Sequence, residues 1–497
     1  MKNKRLPLSR PLWYHKQIDF KKSTTQGDIM KIKIIGVDDP LILKEFAVIN
    51  QGFFEKSFFV DHDPDITVDF RQTSACTKQD YLKIYFQFLT EKFGKLQPWG
   101  LLNGMRPTKL VHSKKKRGMS NEEIAKNFQD QYLLSDEKMT LLLAVADLQH
   151  QVVPDLYTLD GEVSLYIGIP FCPTRCAYCT FAAYAFSPHE KWVAPFLDAL
   201  LAEIDLIGDY LLANNIPVTS IYLGGGTATT LEVDQLRQIL AALSEKITDI
   251  NQVREITVEA GRPDTITREK LELLKAFNVN RISINPQSFH QITLDTIGRH
   301  HLVDDVFSTF ELAKKIGIPN INMDLIVGLP GEETKELLHS LAQIKKLQPE
   351  SITVHMLAFK RNSEMSNDRG LFTVASREVL TDMAKLTYDF AKEEGYLPYY
   401  LYRQKNISGN LENIGYAKAN QACVYNIVMM EEAQNVLGLG VGASSKFLFG
   451  ESVHNPKDLR TYIENYAQYA QRKIEMLELS ASIGAKSFTY HPPVVRL

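Results

Sequence analysis

Residues 163–181 read VSLYIGIPFCPTRCAYCTF, a strand-like run followed at once by three cysteines, Cys172, Cys176 and Cys179. Their spacing, C-x3-C-x2-C, supplies three thiolates where a structural zinc ion closes its tetrahedron with four protein ligands. The TFAAYAF that follows Cys179 offers no nearby His or Cys. A [4Fe–4S] cubane held by three thiolates keeps one iron without a protein ligand, open to a substrate or cofactor. The other two of the chain's five cysteines, Cys76 and Cys423, are isolated in sequence. A disulfide framework belongs to short secreted chains, and this chain has neither property.

Outward from this stretch, strand-like segments alternate with amphipathic helical ones. Candidate strands are VSLYIGI (163–169), SIYLGG (220–225), EITVEA (255–260), NRISIN (280–285), INMDLIVG (321–328) and SITVHML (351–357). Helical patterns at 191–212, 233–247, 268–277, 304–317 and 334–348 separate them. Six β-α units in series predict a parallel sheet with crossover helices. Six are fewer than the eight of a closed barrel. The expected fold class is therefore α/β, an open three-quarter (β/α)6 barrel over 159–365. Chemistry in such a fold belongs at the C-terminal ends of the strands, and the cysteine loop sits there, after the first strand.

The rest of the chain frames the barrel. Residues 1–29 form a polar tail, and Met30 offers an alternative start. Residues 30–158 read as a separate α/β region of unknown role, with short strands at IKIIGV, SFFV and ITVDF. Helical patterns follow at 81–94 and 120–149, the second opened by a Ser120–Glu123 capping box. The run Lys114–Arg117 reads as a solvated loop. Residues 366–497 lose the alternation and are expected to cap the open side as an α+β region.

Of the 497 residues, 44% are hydrophobic and 23% charged, the composition of an ordinary globular protein. The net charge of −3 provides no basic field for nucleic acid. No apolar run reaches the roughly 18 residues of a membrane span. The opening MKNKRLPLSRPLWYHKQIDF has no apolar core of a secretory signal. An oxygen-sensitive cluster without paired cysteines fits a reducing cytoplasm.

Further motifs recur in order along the strand ends. They are Tyr166 in YIGIPFC, Gly224-Gly225-Gly226-Thr227, Glu259 in TVEA, Gln287 in SINPQSF, Arg299 in GRHH and Asp324 in NMDLIVGLPGE. Taken singly, each has an ordinary reading: a tight turn at the glycines, a solvated Glu259, an Arg299–Asp324 ion pair, core packing of Tyr178. As an ordered set over about residues 160–450, they resemble the radical S-adenosylmethionine (SAM) enzymes. More narrowly, the set is similar to the oxygen-independent coproporphyrinogen III oxidase family, in a branch that carries a similar amino-terminal extension.

The resemblance implies a [4Fe–4S] cluster on Cys172, Cys176 and Cys179, with SAM on the open iron. It implies contacts to a first SAM from Tyr166, Gly225, Glu259 and, later in the chain, Ser444 in GLGVGASS. Gly226, Thr227, Gln287, Arg299, Asp324 and Ala358 match a second SAM site, and Tyr178 is placed to lie against an adenine or second-cofactor ring. The implied reaction is oxidative decarboxylation of tetrapyrrole propionates to vinyl groups. The implied electron donor is of low potential, of flavodoxin or ferredoxin type. Arg175, Lys360, Arg361, Arg403 and Lys405 are cations available for substrate carboxylates, each equally well read as solvated. Two positions depart from the oxidases' pattern: Gly168 stands where they carry His, and Phe181 where they carry a further cysteine. The same absences occur in branches that resemble haem chaperones or act on other tetrapyrroles. A haem chaperone that retains the cluster, and a methyltransferase or ring-opening enzyme acting on haem, are thus the alternatives, with His355 a possible haem ligand.

Overall fold

The computed structural model describes residues 29–483, except 55, 72, 74, 76, 96, 360–362, 368–369, 371 and 405–410. The tail 1–28, Cys76, Lys360, Arg361 and Lys405 lie outside the described residues. The chain divides into two compact units, each described here by itself.

Among the described residues, the smaller unit takes in 29–103 and 119–140. Strands Ile29–Ile35 (β1), Lys56–Phe59 (β2) and Ile66–Asp69 (β3) form a parallel sheet in the order β2-β1-β3. Helices Pro40–Phe53 and Lys78–Phe93 supply its aromatic core, where Phe46 and Tyr85 stack at 4.1 Å. The helical pattern over 120–149 resolves into Asn121–Tyr132 and Asp136–Val152. Ser120 and Glu123 cap the first of these reciprocally, as their spacing predicts.

Among the described residues, the larger unit comprises 104–118 and 141–483. The border expected at residue 158 therefore differs from the one observed. Val153, Leu156 and Leu159 are buried in one cluster with Tyr399, Tyr425 and Ile427, so 141–158 packs with the later chain. Residues 104–118 do the same through polar contacts: Arg106 and Lys109 pair with Glu432, and Thr108 donates to Glu431 at 2.6 Å. The basic run is also not a plain loop. Helix Thr108–Lys115 ends inside it, Lys115 pairs with Asp147 at 2.7 Å, and Lys116 lies over the Tyr157 ring.

All six expected strands form: Val163–Ile169 (β4), Val218–Gly225 (β7), Glu255–Glu259 (β8), Arg281–Ser283 (β9), Asn320–Val327 (β10) and Ser351–Met356 (β11). Two short strands, Phe171–Cys172 (β5) and Tyr184–Ala185 (β6), pair with each other and close the cysteine loop on itself. The expected cap instead contributes strands to the same sheet. Leu397–Tyr402 (β12) and Asn413–Ala417 (β13) extend it antiparallel beyond β11. Asn435–Gly440 (β14) adds a seventh parallel strand beside β4, and Ser444–Lys446 (β15) and Ser452–His454 (β16) follow antiparallel. The order is β12-β13-β11-β10-β9-β8-β7-β4-β14-β15-β16, with no ladder joining β12 to β16 among the described residues. β4 and β10 are buried almost throughout, as parallel strands covered on both faces must be.

The flank at β14 is anchored by charge. Helices Val193–Ala213 and Leu459–Ile483 each contribute one partner of the Glu203–Lys473 ion pair, whose two side chains are fully buried. Glu203 also accepts from Tyr462 Oη at 2.7 Å, from Asn455 Nδ2 at 3.0 Å, and from the Gly440 N–H at 2.8 Å. The end of β14 is thereby fixed beside β4.

Candidate functional site

Because β4, β7, β8, β9, β10 and β11 run parallel, their C-terminal ends share one edge of the sheet, and the cysteine loop rises from the end of β4. A cavity of about 410 Å³ opens there. Cys172, Cys176 and Cys179 all line it. So do Tyr166, Tyr178, Gly225, Gly226, Thr227, Glu259, Gln287, Arg299, Asp324 and Ala358. Of the eleven non-cysteine positions singled out from sequence, only Ser444 is not among the lining residues. Its hydroxyl lies 2.8 Å from His454 Nδ1, on β15. Arg175 lines the mouth, whereas Arg403 does not.

The glycine turn after β7 is built for close approach. Gly225 has φ +107°, and a Cβ on Gly226 would stand 2.5 Å from the Phe171 carbonyl oxygen. The Gly226 N–H donates to Ile169 O at 2.6 Å and the Thr227 N–H to Phe171 O at 2.7 Å, tying this turn to the cysteine loop. Thr227 Oγ1 is 3.5 Å from Cys172 Sγ. Burial pushes the Cys172 thiol up to about 11.

Three acidic and basic groups behave differently from their ordinary readings. Glu259 is not a solvated strand end. The Tyr222 hydroxyl donates to its Oε1 at 2.5 Å, and burial nevertheless pushes its carboxyl up to about 7. No Arg299–Asp324 ion pair forms among the described residues. Arg299 Nη2 donates to the carbonyls of Gly261 and Asn285, and Nη1 points at Cys176 Sγ at 4.0 Å. Burial would raise the Asp324 carboxyl, but His355 and Asn322 outweigh it and hold Asp324 below its ordinary value. His355 Nε2 is 3.7 Å from Asp324 Oδ2, and its Nδ1 is 3.1 Å from Tyr402 Oη. Tyr178 lines the cavity and also packs against the Leu294, Ile297 and Leu329 cluster.

Gln287 carries a backbone signature of a built site. It sits at φ +64°, uncommon for a side-chain-bearing residue, and is held there between Asp324 O (2.9 Å from its N–H) and the Ile326 N–H (3.0 Å from its carbonyl). Its Oε1 is buried in the cavity wall without a partner.

Comparison with known proteins agrees with this geometry. Residues 166–344 match the radical SAM superfamily. The chain is 47% identical over 420 residues to the oxygen-independent coproporphyrinogen-III oxidase-like protein HemZ of Bacillus subtilis (strain 168), covering 84% of this chain and 83% of that one. This chain belongs to the HemZ-like branch of the radical SAM superfamily. The heme chaperone HemW of the same organism is 31% identical over 307 residues, or 61% of this chain and 76% of its own. Among solved structures, the Escherichia coli coproporphyrinogen III oxidase HemN superposes with a TM-score of 0.51 at 23% identity, over 65% of this chain and 73% of that one. That likeness supports the fold.

Radical SAM proteins use a [4Fe–4S] cluster and SAM, and the residues present fit both. Among the described residues, no three His, Cys, Asp or Glu side chains converge as ligands of a single metal ion. A cubane takes each thiolate on a separate iron, and three cysteines lining one cavity suit it. The turn that excludes a Cβ at Gly226 and the unpartnered Gln287 Oε1 are features of a wall shaped around a polar ligand. Cys423, the other described cysteine, donates its S–H to Glu255 at 3.0 Å and does not line the cavity.

Sequence reasoning missed much of the floor and far wall. Tyr222, Arg281, Ser283, Tyr400, Tyr402, Tyr425 and Met429 line the same cavity. Arg281 and Ser283 share their strand's inward face with Asn285 and Gln287, so period-two alternation from Gln287 was the available signal. Phe181 is 62% exposed at the mouth. Gly168 is buried, and a Cβ there would lie 2.9 Å from the Val441 carbonyl.

Proposed function

We propose that this chain is a radical SAM oxidoreductase that oxidatively decarboxylates propionate side chains of a coproporphyrinogen-type tetrapyrrole. The observation that carries this reading is the convergence of the three thiols, the glycine turn and Glu259 on one cavity, in a chain 47% identical to a coproporphyrinogen-III oxidase-like protein. When bound, the cluster and SAM would supply a 5′-deoxyadenosyl radical to take hydrogen from a propionate carbon; the arm would then lose carbon dioxide and pass one electron to a one-electron acceptor, leaving a vinyl group. Cys172, Cys176 and Cys179 are the proposed cluster ligands. Glu259 is the proposed acceptor for ribose hydroxyls, a role suited to a carboxylate whose lone pairs outnumber its donors, the Tyr222 hydroxyl and the Gly225 N–H. Tyr166 and Gly225 border the same position, and Ser444 is retained as a later contact. Tyr178, Gly226, Thr227, Gln287, Arg299, Asp324 and Ala358 are assigned to a second SAM. The tyrosine-lined interior keeps water from a reactive radical. The electron is proposed to come from a flavodoxin- or ferredoxin-type donor in a reducing cytoplasm.

Two observations favour a second reading, a haem chaperone that keeps its cluster. One is the likeness to HemW. The other is the loss of side-chain chemistry at Gly168 and Phe181, because one proton-transfer group alone is typically worth about 100- to 10,000-fold in rate. A single anaerobic experiment separates the readings. Reconstituted protein is incubated with SAM, a low-potential reductant and coproporphyrinogen III, and products are read by mass spectrometry. Protoporphyrinogen formed with methionine and 5′-deoxyadenosine supports the oxidase. Haem bound without SAM turnover supports the chaperone, and a methylated product with S-adenosylhomocysteine supports a methyltransferase.

A further inference from the structure

Arg281 is 3% exposed, lines the cavity, and has no carboxylate within ion-pair distance among the described residues. Its Nη2 donates to Ser351 Oγ at 2.9 Å, while its Nε is buried without a partner. Burying a guanidinium without a counter-ion is costly, and native proteins rarely leave one so. Its acidic neighbour is otherwise engaged. Glu255 accepts from the Cys423 thiol, from the Val424 and Tyr425 N–H groups at 2.8 and 3.3 Å, and from Thr257 Oγ1 at 3.0 Å. Glu255 thus caps helix Val424–Glu431 and favours the Arg281 charge only at a distance, without a hydrogen bond or ion pair to it among the described residues.

Two residues on, Ser283 faces the same cavity, 3% exposed, with its hydroxyl oxygen also unpartnered. Two adjacent inward positions of β9 therefore present a buried cation and a buried hydroxyl with unused hydrogen-bonding capacity. Strand register fixes their depth. Ser283 is level with Glu259 on β8 and with Asn322 on β10, and Arg281 is level with Thr257, about 7 Å nearer the floor.

We propose that Arg281 and Ser283 form a carboxylate-binding pocket at the floor of the cavity, and that it receives a propionate arm of the tetrapyrrole. A carboxylate matches the pair: its charge answers the guanidinium, and its two oxygens take the Arg281 Nε–H and the Ser283 hydroxyl. The whole ring does not fit so deep, because a 410 Å³ cavity is shared with cofactor, whereas an arm does. The carbons of an arm anchored at Arg281 lie in the layer of Glu259. The assignment rests on the tetrapyrrole reading given above. The methionyl carboxylate of SAM is the other source of the same chemistry, and the test separates them.

The test uses cluster-reconstituted full-length protein, anaerobic ultrafiltration, and coproporphyrin III beside its tetramethyl ester. The unaltered protein is expected to bind the acid at least tenfold tighter than the ester. Arg281→Gln is expected to weaken the acid by about 10- to 150-fold and Ser283→Ala by about 2- to 13-fold, with the ester unchanged, and Arg281→Lys to recover part of the loss. SAM affinity, read by equilibrium dialysis, is expected to stay within twofold in both. Ser283→Ala removes a hydroxyl that has no hydrogen-bond partner among the described residues, so it reports even if Arg281→Gln does not fold. Unchanged acid affinity in folded variants overturns the pocket while leaving the functional reading in place. Equal binding of acid and ester by the unaltered protein overturns it likewise. A matching loss of SAM affinity reassigns the carboxylate to the cofactor and overturns the propionate. No binding of coproporphyrin III by the unaltered protein rejects the tetrapyrrole reading itself.

Discussion

Replacing Glu259 by Gln should stabilise the cofactor-free protein while weakening its hold on SAM, and the stabilisation should depend on pH in a defined direction. Burial raises the Glu259 carboxyl from 4.5 to about 7 in the fold. The folded state therefore binds this proton more tightly than the unfolded chain. Stability contributed at this position is complete below pH 4.5, falls as pH rises between 4.5 and 7, and is lost above 7. At about 1.4 kcal/mol per tenfold, the penalty at pH 8 is on the order of 3 kcal/mol. A neutral amide avoids it and still accepts the Tyr222 hydroxyl through its carbonyl oxygen. With an unfolding entropy near 2.1 cal/mol/K per residue and roughly 350 residues in the larger unit, the melting temperature should rise by about 4 °C at pH 8. At pH 4.5 the two proteins should melt together. On the proposed ribose contact, SAM affinity should fall by about 10- to 150-fold. The assays are scanning calorimetry at both pH values and equilibrium dialysis with SAM. An equal melting shift at pH 4.5 and pH 8 would refute the burial argument, and unaltered SAM affinity would remove Glu259 from the cofactor site.

Cys176→Ser should abolish the cluster's visible absorption and iron content, while Cys423→Ser, whose hydroxyl can still donate to Glu255, should leave both unchanged; iron loss from the latter would refute a three-ligand cluster. Gly226→Ala forces a Cβ to 2.5 Å from the Phe171 carbonyl, so the cysteine loop must shift, and SAM cleavage should fall at least tenfold while the far-ultraviolet circular dichroism is kept. Lys473→Met leaves Glu203 buried without its counter-charge and should cost about 3–5 kcal/mol, read as a fall in melting temperature; a loss below 1 kcal/mol would show that Tyr462 and Asn455 suffice.

Much of the barrel was legible because its signals are local. Long amphipathic helices between apolar runs fix a parallel alternation, and every one of the six expected strands forms. β14 was not legible. NVLGLG carries two glycines in six residues, which weakens any strand signal, and the strand exists because its backbone lies tightly against β4. β12 and β13 were hidden in the same way: helix Arg377–Glu393 does precede β12, but LPYYLY carries a proline and NIGYA a glycine, and each weakens its strand signal. The upper rim of the site was readable from strand ends, where Glu259 closes an apolar run and Gln287 follows one, and from Asp324, the one acidic residue inside NINMDLIV. The floor was not. Arg281 and Ser283 sit within a strand, and the face of NRISIN that looks inward can be read only by carrying the alternation back from Gln287.

The same closure gives Gly168 a meaning that substitution tables miss. On β4 its Cβ direction is that of Tyr166, toward the interior, but the space is filled by backbone: Val441 O would lie 2.9 Å from a Cβ, and Leu439 O and the Ala443 Cβ at 3.4 Å. Across the ladder Gly440, at φ +89°, would place its own Cβ 2.3 Å from the Gly168 carbonyl, so the two glycines permit one another. Glu203 then grips the Gly440 N–H from the buried helix pair. Absence of a histidine here is therefore coupled to the position of a whole strand and turn. Restoring the side chain alone puts an imidazole where main chain already stands. The polar wall that the fold does provide in the cavity is the Asp324–His355–Tyr402 series on β10, β11 and β12.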